Sequence, residues 1–230
     1  MFAIFIPTYN EKDNLPIIVK EIDSVLKDNY RIIIVDDSSP DGTGEIADEL
    51  SNKYPITVVH RSCRGRGSAS IVGFQKALEQ DVEFVIEMDA DLSHDPKYLP
   101  EFLEKIKKCD LVVGSRYTEG GNEVDRDIIR VLLSRYSNNF VKLILGLPIH
   151  DCTSGYKCYR RKVLEQMDMD TIISTEYSIG IEMLYRAYNN NFTIEEIPIL
   201  FRNRARGESK LSMKTTILYF YVVLLLKLKK

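Results

Sequence analysis

Short apolar runs that favour β-strands alternate with helical stretches through the first half of this 230-residue chain. The runs lie at Phe2–Ile6, Ile32–Val35, Ile56–Val59, Phe84–Met88 and Leu111–Val113. Because each run is uninterrupted rather than alternating, it suits a strand that is covered on both faces. Helices are expected between them, at about 13–27, 43–53, 68–80 and 97–107. This repetition predicts an α/β fold with a mostly parallel sheet, right-handed crossovers and flanking helices.

The second half of the chain is less regular. We expect helices at about 126–145 and 177–188, a short strand near 193–197 and a last helix over about 211–228. No internal repeat, low-complexity segment or linker divides the sequence. The simplest organisation is one α/β domain over 1–210, followed by an apolar and basic C-terminal helix over 211–230.

Charge and cysteine content exclude several classes of protein. A net charge of −3 argues against a protein that binds nucleic acid through bulk charge. The end of the chain differs, because eight basic residues and a single acid lie between Arg202 and Lys230. Such a tail fits phosphate groups or an anionic membrane surface. The four cysteines form no Cys-x-x-Cys pair, which disfavours zinc or a disulfide framework and favours a reducing cytoplasm.

The last predicted helix contains ten consecutive apolar residues, Ile217–Leu226, followed by Lys-Leu-Lys-Lys. Ten helical residues cover about 15 Å, half of the hydrocarbon thickness of a bilayer, about 30 Å. The helix is therefore too short to span, but it suits an amphipathic element at the cytosolic membrane face or against a partner's transmembrane helix. An ordinary helix docked on the body fits the same pattern.

Two aspartates, Asp89 and Asp91, directly follow the fourth predicted strand. Ligands of parallel α/β sheets bind beyond the carboxyl ends of the strands, which places both carboxylates at such a site. Neighbouring carboxylates repel unless positive charge lies between them, and Mg²⁺ or Mn²⁺ shared with substrate phosphate would supply it. The alternative is an acidic turn before a helix that Asp95 caps and Pro96 opens.

Polar side chains also follow the first and second strands. Tyr9 offers a flat face and a hydroxyl, and Glu11 offers an acceptor. Asp36 and Asp37 would accept from base N–H groups or ribose hydroxyls. These residues fit a nucleoside site, although ordinary strand-to-helix turns would also account for them. In that alternative the helix caps would be Asn10 or Asp13 and Thr43.

Basic residues in the second half would suit phosphate groups. Arg116 ends the fifth strand, and Arg126, Arg130 and Ser134 share one face of the helix that follows. Guanidinium and hydroxyl groups on one face suit a phosphate, while surface ion pairs with neighbouring acids are the alternative. A second basic stretch, 202–210, would neutralise a pyrophosphate leaving group if it lies near the metal.

Six stretches occur in an order that resembles the glycosyltransferases of family 2, which have the GT-A fold. They are Pro-Thr-Tyr-Asn-Glu at 7–11, Val-Asp-Asp-Ser-Ser-Pro-Asp-Gly-Thr at 35–43, Asp-Ala-Asp-Leu-Ser-His at 89–94, Gly-Ser-Arg-Tyr at 114–117, Asp-Cys-Thr-Ser-Gly-Tyr at 151–156 and Gly-Glu-Ser-Lys-Leu at 207–211. Within the family, the set is similar to enzymes that transfer mannose to dolichyl and other polyprenyl phosphates. The resemblance implies a Rossmann-like GT-A catalytic domain over 1–210.

The resemblance also implies ligands and residue roles. GDP-mannose would be the donor, a polyprenyl or dolichyl phosphate the acceptor, and Mg²⁺ or Mn²⁺ the cofactor. The membrane surface or a small membrane-anchoring subunit would be a partner. The nucleoside would be held by Pro7, Tyr9, Glu11, Val35 and Asp37. The metal on the pyrophosphate would be held by Asp89 and Asp91, with the Ala90 backbone and Ser93 nearby. The donor phosphates would be held by Arg204 and Lys210, and the acceptor phosphate by Arg116, Arg130 and Ser134.

The chain departs from the family pattern at three points. Ser38 stands where the family usually has the glycine of Asp-Asp-Gly-Ser. Arg66 interrupts the usual Gly-Leu-Gly, in a loop that is otherwise only a weak phosphate-binding motif. The transmembrane segments of some relatives are absent from this sequence.

The expected reaction is attack of a polyprenyl phosphate oxygen on the anomeric carbon of the donor sugar, with inversion. Three alternatives stay open. In the first, the chain uses UDP-glucose as the donor. In the second, it builds polysaccharide on sugar hydroxyls, and in the third, it is a non-catalytic nucleotide-binding subunit of a membrane complex. The arginines and the apolar basic tail argue against the second, and the intact Asp-Ala-Asp and Gly-Glu-Ser-Lys against the third.

Overall fold

A computed structural model describes residues 1–125, 127–174, 176–202 and 213–228 of the chain. Its first half alternates strands and helices, as predicted. The elements are β1 (Phe2–Thr8), α1 (Leu15–Leu26), β2 (Tyr30–Asp36), α2 (Thr43–Ser51), β3 (Ile56–His60), α3 (Arg66–Leu78), β4 (Phe84–Glu87), α4 (Leu99–Lys105) and β5 (Leu111–Ser115).

The second half contains more elements than the sequence predicted. They are β6 (Asn122–Val124), α5 (Ile128–Leu145), β7 (Lys157–Arg160), α6 (Arg161–Glu165), α7 (Ile179–Asn189), β8 (Ile194–Pro198), β9 (Leu200–Arg202) and α8 (Met213–Leu228). The predictions of α5, α7, β8 and α8 are confirmed, whereas β6, β7, α6 and β9 were missed. The missed elements have three to five residues, too few to show a hydrophobic period.

Seven strands form one sheet in the order β3-β2-β1-β4-β7-β5-β8. Neighbouring strands are parallel except around β7, which runs antiparallel to both β4 and β5. The prediction of a mostly parallel sheet is therefore confirmed. Because β1 to β4 run in the same direction, their carboxyl ends lie side by side at one end of the sheet. The inserted strand places Lys157 directly beside Glu87 of β4.

Apolar side chains pack on both faces of the sheet, as the uninterrupted strands predicted. Helices α1, α2 and α4 cover one face, where Ile4 and Ile18 are fully buried. The remaining helices cover the other face, where Phe5 and Phe74 are fully buried. Helix α3 lies very close to β1, because a side chain on Gly73 would overlap the ring of Phe5. This close packing holds the first turn of α3 at the carboxyl ends of the strands.

Two predicted helix caps are wrong. Thr43 is the first residue of α2 rather than its cap, because Gly42 occupies the cap position. The side chain of Asp41 accepts from the Thr43 N–H at 3.0 Å. Helix α1 begins only at Leu15, so neither Asn10 nor Asp13 caps it. Instead the side chains of the second loop accept from backbone N–H groups of the first, as Thr43 does from Glu11 at 2.9 Å. A pattern within one segment does not reveal such bonds.

The predicted C-terminal helix is confirmed, and it packs against α5. The ring of Phe220 lies 4.9 Å from that of Phe140, and Val223 is fully buried. The outer side of α8 is exposed and apolar, and it carries Ile217, Tyr221, Leu224 and Leu228. None of the helices in the described part of the chain is both long and apolar enough to cross a bilayer. The predicted boundary between residues 210 and 211 falls outside the described residues.

Candidate active site

A cavity of about 270 Å³ opens at the carboxyl ends of the parallel strands, where α/β sheets bind ligands. Seven predicted site residues line it, namely Pro7, Tyr9, Glu11, Asp37, Asp89, Ala90 and Asp91. The other lining residues are Thr8, Arg64, Gly65, Arg66, Ala69, Glu176 and Tyr177. The structure therefore brings together the groups assigned to the nucleoside and those assigned to the metal.

Asp89 and Asp91 belong to a tightly held turn after β4. The nearly buried carboxylate of Asp91 accepts from the backbone N–H of Ser93 at 3.1 Å and from its hydroxyl at 2.5 Å. Leu92 has a φ of 64°, a left-handed conformation that is uncommon for a branched side chain. Asp95 caps the 3₁₀ turn that follows, as predicted. These contacts hold the carboxylate of Asp91 at the cavity.

His94 supports the backbone of this turn. Its ring is buried and stacks on the ring of Tyr156 at 4.9 Å, and its Nδ1 accepts from the Asp89 N–H at 2.9 Å. Burial lowers the pKa of His94, so the ring stays neutral and Nδ1 keeps the lone pair that the bond requires. His94 therefore positions Asp89 rather than binding a metal through this nitrogen.

Arg66, in the first turn of α3, reaches the same turn. Its Nη2 lies 3.0 Å from Asp89 Oδ1 and 3.0 Å from Glu87 Oε1, and its Nη1 donates to Ser70 at 2.6 Å. Burial opposes the charged form of Arg66, but Asp89 and Glu87 outweigh burial and raise its pKa. The departure from the Gly-Leu-Gly pattern thus places a fixed positive charge beside the predicted metal ligands.

The two aspartates fit a hard divalent cation. Both line one cavity and supply oxygen donors, which Mg²⁺ and Mn²⁺ prefer. Across the residues that the structure describes, no cluster of three His, Cys, Asp or Glu side chains is suited to hold a metal. A cation would therefore complete its coordination with water or substrate phosphate, as Mg²⁺ commonly does. Ser93 does not line the cavity, and its role as a metal ligand stays a prediction.

Asp37 belongs to a buried network that joins the ends of β2 and β3. Its carboxylate lies 2.6 Å from the guanidinium of Arg61 and accepts from the Gly65 N–H at 2.9 Å. Burial raises the pKa of Asp37, while the Gly65 N–H and Arg61 oppose the rise. The network holds the loop after β3 in place as one wall of the cavity.

Tyr9 supplies the aromatic surface of the cavity. The guanidinium of Arg64 lies 4.0 Å from the centre of its ring, a cation–π contact. With Glu11, these groups offer a stacking surface, a donor and an acceptor to a nucleoside. Val35 is fully buried in the core and does not line the cavity, so its contact with a nucleoside stays a prediction.

Ser38 occupies a turn that suits the glycine of the family pattern. Its φ is 51°, in the left-handed region. Its hydroxyl donates to the backbone carbonyl of Arg61 at 2.5 Å. Ser38 therefore adopts a conformation that is strained for a residue with a side chain. Its hydroxyl adds a hydrogen bond between the ends of β2 and β3, which a glycine would lack.

Arg116 is fixed in a buried network at the end of β5. Its guanidinium contacts the carboxylate of Asp151 at two points, 2.7 and 2.8 Å, and donates to Thr153 at 2.7 Å and to Ser134 at 3.2 Å. Burial would raise the pKa of Asp151, but Arg116 outweighs burial and holds that pKa below its usual range. Asp151 is therefore the main counter-ion of Arg116, and the buried carboxylate of Glu123 lies 3.9 Å from the same guanidinium.

Arg116 lines a second cavity, of about 400 Å³. The basic residues that line it are Arg116, Arg135, Lys142 and His150. Ser134 contacts Arg116, whereas Arg130 is exposed on α5 and lines neither cavity. Arg126 lies outside the described residues, as do Arg204 and Lys210. The predicted acceptor residues Arg116, Arg130 and Ser134 are thus near one another, but among the described residues they line no cavity together with the aspartates.

One short segment, 151–155, connects the two cavities. Asp151 at its start pairs with Arg116. At its end, a side-chain carbon on Gly155 would lie 3.6 Å from the carboxylate of Asp89. The ring of Phe201 lies 5.5 Å from the Arg116 guanidinium and 6.0 Å from the ring of the histidine that supports Asp89. The two cavities are therefore adjacent.

Glu176 and Tyr177 line the first cavity and were missed by sequence reasoning. They precede α7, and no motif or period marks that loop. The loop is held by Glu182 of α7, whose fully buried carboxylate accepts from the Ser174 N–H at 2.9 Å. The carboxylate is also paired with Arg186 at 2.6 Å. The sequence shows an acid in the first turn of this helix, but it reveals neither the burial of Glu182 nor the loop that it supports.

Comparison with known proteins shows the family. The family described as Glycosyl transferase family 2 matches residues 3–168. Polyprenol monophosphomannose synthase of Mycolicibacterium smegmatis is 42% identical over 213 residues, which are 91% of this chain and 80% of that protein. Undecaprenyl-phosphate mannosyltransferase of Micrococcus luteus is 39% identical over 209 residues, which are 90% of this chain and 86% of that protein.

Solved structures confirm the GT-A type of α/β fold. Glucosyl-3-phosphoglycerate synthase from Mycobacterium tuberculosis, in complex with Mn²⁺, UDP-glucose and phosphoglyceric acid, matches with a TM-score of 0.70. The match covers 100% of this chain and 79% of that chain, with 15% sequence identity. At this identity the likeness concerns the fold alone.

The Arg116–Asp151 pair predicts a large loss of stability in Asp151→Asn. Removing Asp151 leaves the buried charge of Arg116 with the weaker contact to Glu123 at 3.9 Å, which should cost about 3 kcal/mol of unfolding free energy. Urea unfolding at pH 7 measures the loss. Asp48→Asn is the matched control, because the Asp48–His60 pair is more than half exposed on both sides and is worth less than about 1 kcal/mol.

The same variant has a defined pH dependence. The pKa of Asp151 is lowered in the folded state. Its contribution to the free energy of unfolding is therefore fully present above the unfolded pKa of about 3.9, and it is lost as the pH falls through the folded pKa. The difference between wild type and Asp151→Asn should therefore shrink below about pH 4. An equal difference at pH 3 and pH 7 would contradict the assignment.

Proposed function

Because the chain belongs to glycosyl transferase family 2, we propose that it transfers mannose from GDP-mannose to a dolichyl or other polyprenyl phosphate. The observation that carries the proposal is the cavity where Asp89 and Asp91 meet Tyr9, Glu11 and Asp37. Carboxylates suited to a metal, placed beside a surface suited to a nucleoside, support a nucleoside diphosphate sugar as donor. The names of the two relatives specify mannose transfer and polyprenyl acceptors, which supports the choice of both substrates.

Within this cavity the donor's nucleoside would lie against Tyr9, with Glu11 and Asp37 accepting from the base or ribose. The diphosphate would lie at the turn formed by Asp89, Ala90 and Asp91. When bound there, Mg²⁺ or Mn²⁺ would offset the negative charge that develops on the leaving diphosphate. The carboxylate of Asp91, fixed by its hydrogen bonds to Ser93, needs little reorganisation to take part.

The acceptor supplies its own nucleophile. A phosphate monoester is largely dianionic near neutral pH, since its second pKa is about 6. One phosphate oxygen would attack the anomeric carbon from the side opposite GDP. The new carbon–oxygen bond forms as the bond to the donor's diphosphate breaks, and GDP leaves with that electron pair. The α-linked donor thus gives a β-linked product, and no strong general base is required because the nucleophile has no proton to lose.

The chain must align two anions that repel each other. Asp151 offsets the charge of Arg116, so this arginine orients a phosphate through N–H groups more than through net charge. Arg130, exposed on α5, would supply net positive charge, and Ser134 would add a hydroxyl. The residues outside the described ranges, Arg204 and Lys210, would act on the donor phosphates.

An exposed apolar surface supports association with the cytosolic face of a membrane. The first half of α5 carries Ile128, Ile129, Leu132 and Leu133, which are 60–71% exposed. Helix α8, which packs on α5 through Phe220 and Phe140, adds further exposed apolar side chains on its outer side. Arg130 is on the same turns of α5 as these apolar residues. The phosphate of a lipid acceptor would therefore contact Arg130 while the apolar lipid chain contacts the exposed apolar side chains. A small membrane-anchoring subunit would bind the same surface.

Product analysis tests the proposal. The purified chain is incubated with Mg²⁺ or Mn²⁺, a short polyprenyl phosphate and labelled GDP-mannose or UDP-glucose, and the lipid product is identified by mass spectrometry. We expect mannosylated lipid from GDP-mannose. Asp89→Asn should lower turnover about a thousandfold, because it removes a carboxylate from the proposed cation site.

Asp81→Asn is the matched control, because Asp81 is exposed at the opposite end of β4. It should keep turnover within about twofold of wild type. Glucosylated lipid from UDP-glucose would favour that donor instead. Release of GDP without any lipid product, or full activity in Asp89→Asn, would contradict the proposal.

Arg130→Ala tests the acceptor site. Loss of a charge-assisted contact to phosphate, about 1.5 kcal/mol, should raise the KM for polyprenyl phosphate about tenfold. The KM for GDP-mannose should not change. Lys20→Ala, which removes an exposed cation from α1, is the control. An unchanged acceptor KM in Arg130→Ala would remove this residue from the acceptor site.

Vesicle flotation tests the membrane surface. Replacing both Leu132 and Leu133 by Glu should weaken binding to phosphatidylglycerol-containing vesicles about a hundredfold, since each buried leucine is worth at least about 1.5 kcal/mol. Ile17→Glu, on an exposed position of α1, should change binding less than about threefold. Equal vesicle binding by wild type and the double variant would exclude this surface.

A further inference from the structure

The guanidinium of Arg66 lies beside the position that a cation bound to Asp89 would occupy. Its guanidinium is 3.0 Å from Asp89 and is fixed by Glu87 at 3.0 Å and by Ser70 at 2.6 Å. The side chain is only 18% exposed. Held at three points and shielded from water, the guanidinium is not free to swing into solvent.

The surrounding charges keep Arg66 in place. Glu87 is 2% exposed and lies beside Lys157 in the β4–β7 ladder. The ammonium of Lys157 donates to the backbone carbonyl of Ser154. If Arg66 moved away, Glu87 would lose its direct ion pair in a buried site, which is strongly unfavourable. Arg66 is therefore a permanent part of the cavity wall.

We propose that Arg66 is a positioning residue that competes with a divalent cation for Asp89 and makes cation binding depend on the nucleotide diphosphate. This inference rests on the proposed metal role of Asp89 and Asp91. A cation that takes Asp89 brings two positive charges beside the guanidinium, and a buried site screens their repulsion poorly. A diphosphate brings negative charge into the same cavity. The positive charge of the cation and the negative charge of the diphosphate thus offset each other. A cation that binds alone has no such compensation beside Arg66.

Binding of Mn²⁺ without nucleotide tests the competition directly. The dissociation constant is measured on the full chain from the EPR signal of free Mn²⁺. Arg66→Gln removes the charge and keeps groups that bond to Ser70 and Glu87, and it should bind Mn²⁺ about tenfold more tightly than wild type. Arg66→Lys keeps a cation and should stay within about threefold of wild type. Thermal unfolding establishes that each variant is folded, and Arg66→Leu repeats the test with an apolar side chain.

Arg64→Gln is the matched control for charge, because Arg64 is in the same loop but stacks on Tyr9 instead of contacting Asp89. It should change the Mn²⁺ dissociation constant less than about threefold. Equal affinities in wild type, Arg66→Gln and Arg66→Leu would overturn the inference. An equal gain in Arg64→Gln would overturn it as well, because the effect would then be one of bulk charge.

The nucleotide gives an independent readout. GDP affinity is measured by calorimetry with EDTA. Because the charge that repels the cation attracts the diphosphate, GDP should bind to Arg66→Gln about tenfold more weakly than to wild type. An unchanged GDP affinity would contradict the inference. Asp89→Asn distinguishes failure of the proposed metal site from failure of the inference about Arg66. If it binds Mn²⁺ as wild type does, the proposed metal site fails; if it loses Mn²⁺ while Arg66→Gln resembles wild type, only the inference about Arg66 fails.

Discussion

Negative charge gathered at the carboxyl end of β4 is the constraint on which the rest of the site depends. Glu87, Asp89 and Asp91 follow one another within five residues, and two of them are almost fully buried. Such a cluster repels itself unless cations are near. The fold supplies Arg66 from α3 and Lys157 from the antiparallel strand β7. Lys157 lies beside Glu87, whereas Arg66 contacts both Glu87 and Asp89 and lines the cavity. Asp89 and Asp91 face the same cavity, which is the place for a metal and a diphosphate.

The segment 151–155 explains how donor and acceptor regions remain separate and yet close. One end holds Arg116 through a buried ion pair, and the other end lies against Asp89. Phe201 fills the space between Arg116 and the histidine that supports the turn. This arrangement suits a reaction in which two anionic groups must approach from separate cavities.

Sequence alone predicted the parallel sheet, the flanking helices and seven of the residues that line the first cavity. It succeeded because strand ends in a parallel sheet share one location, so residues such as Tyr9, Asp37 and Asp89 converge by topology. It failed where the partner of a residue is distant in the chain. The Arg116–Asp151 pair spans 35 residues, and Glu176 reaches the cavity from a loop without any motif. Arg66 was noted only as a departure from a pattern, since its contacts with Glu87 and Asp89 exist only after folding.

The central claim is that Asp89 and Asp91 hold the donor's diphosphate through a divalent cation. The most direct measurement is a crystal structure of the chain with GDP and Mn²⁺, with the manganese located by its anomalous scattering. We expect one manganese in direct contact with these carboxylates and with the phosphates of GDP, whose nucleoside lies against Tyr9. Manganese bound away from both aspartates, or GDP bound outside this cavity, would contradict it.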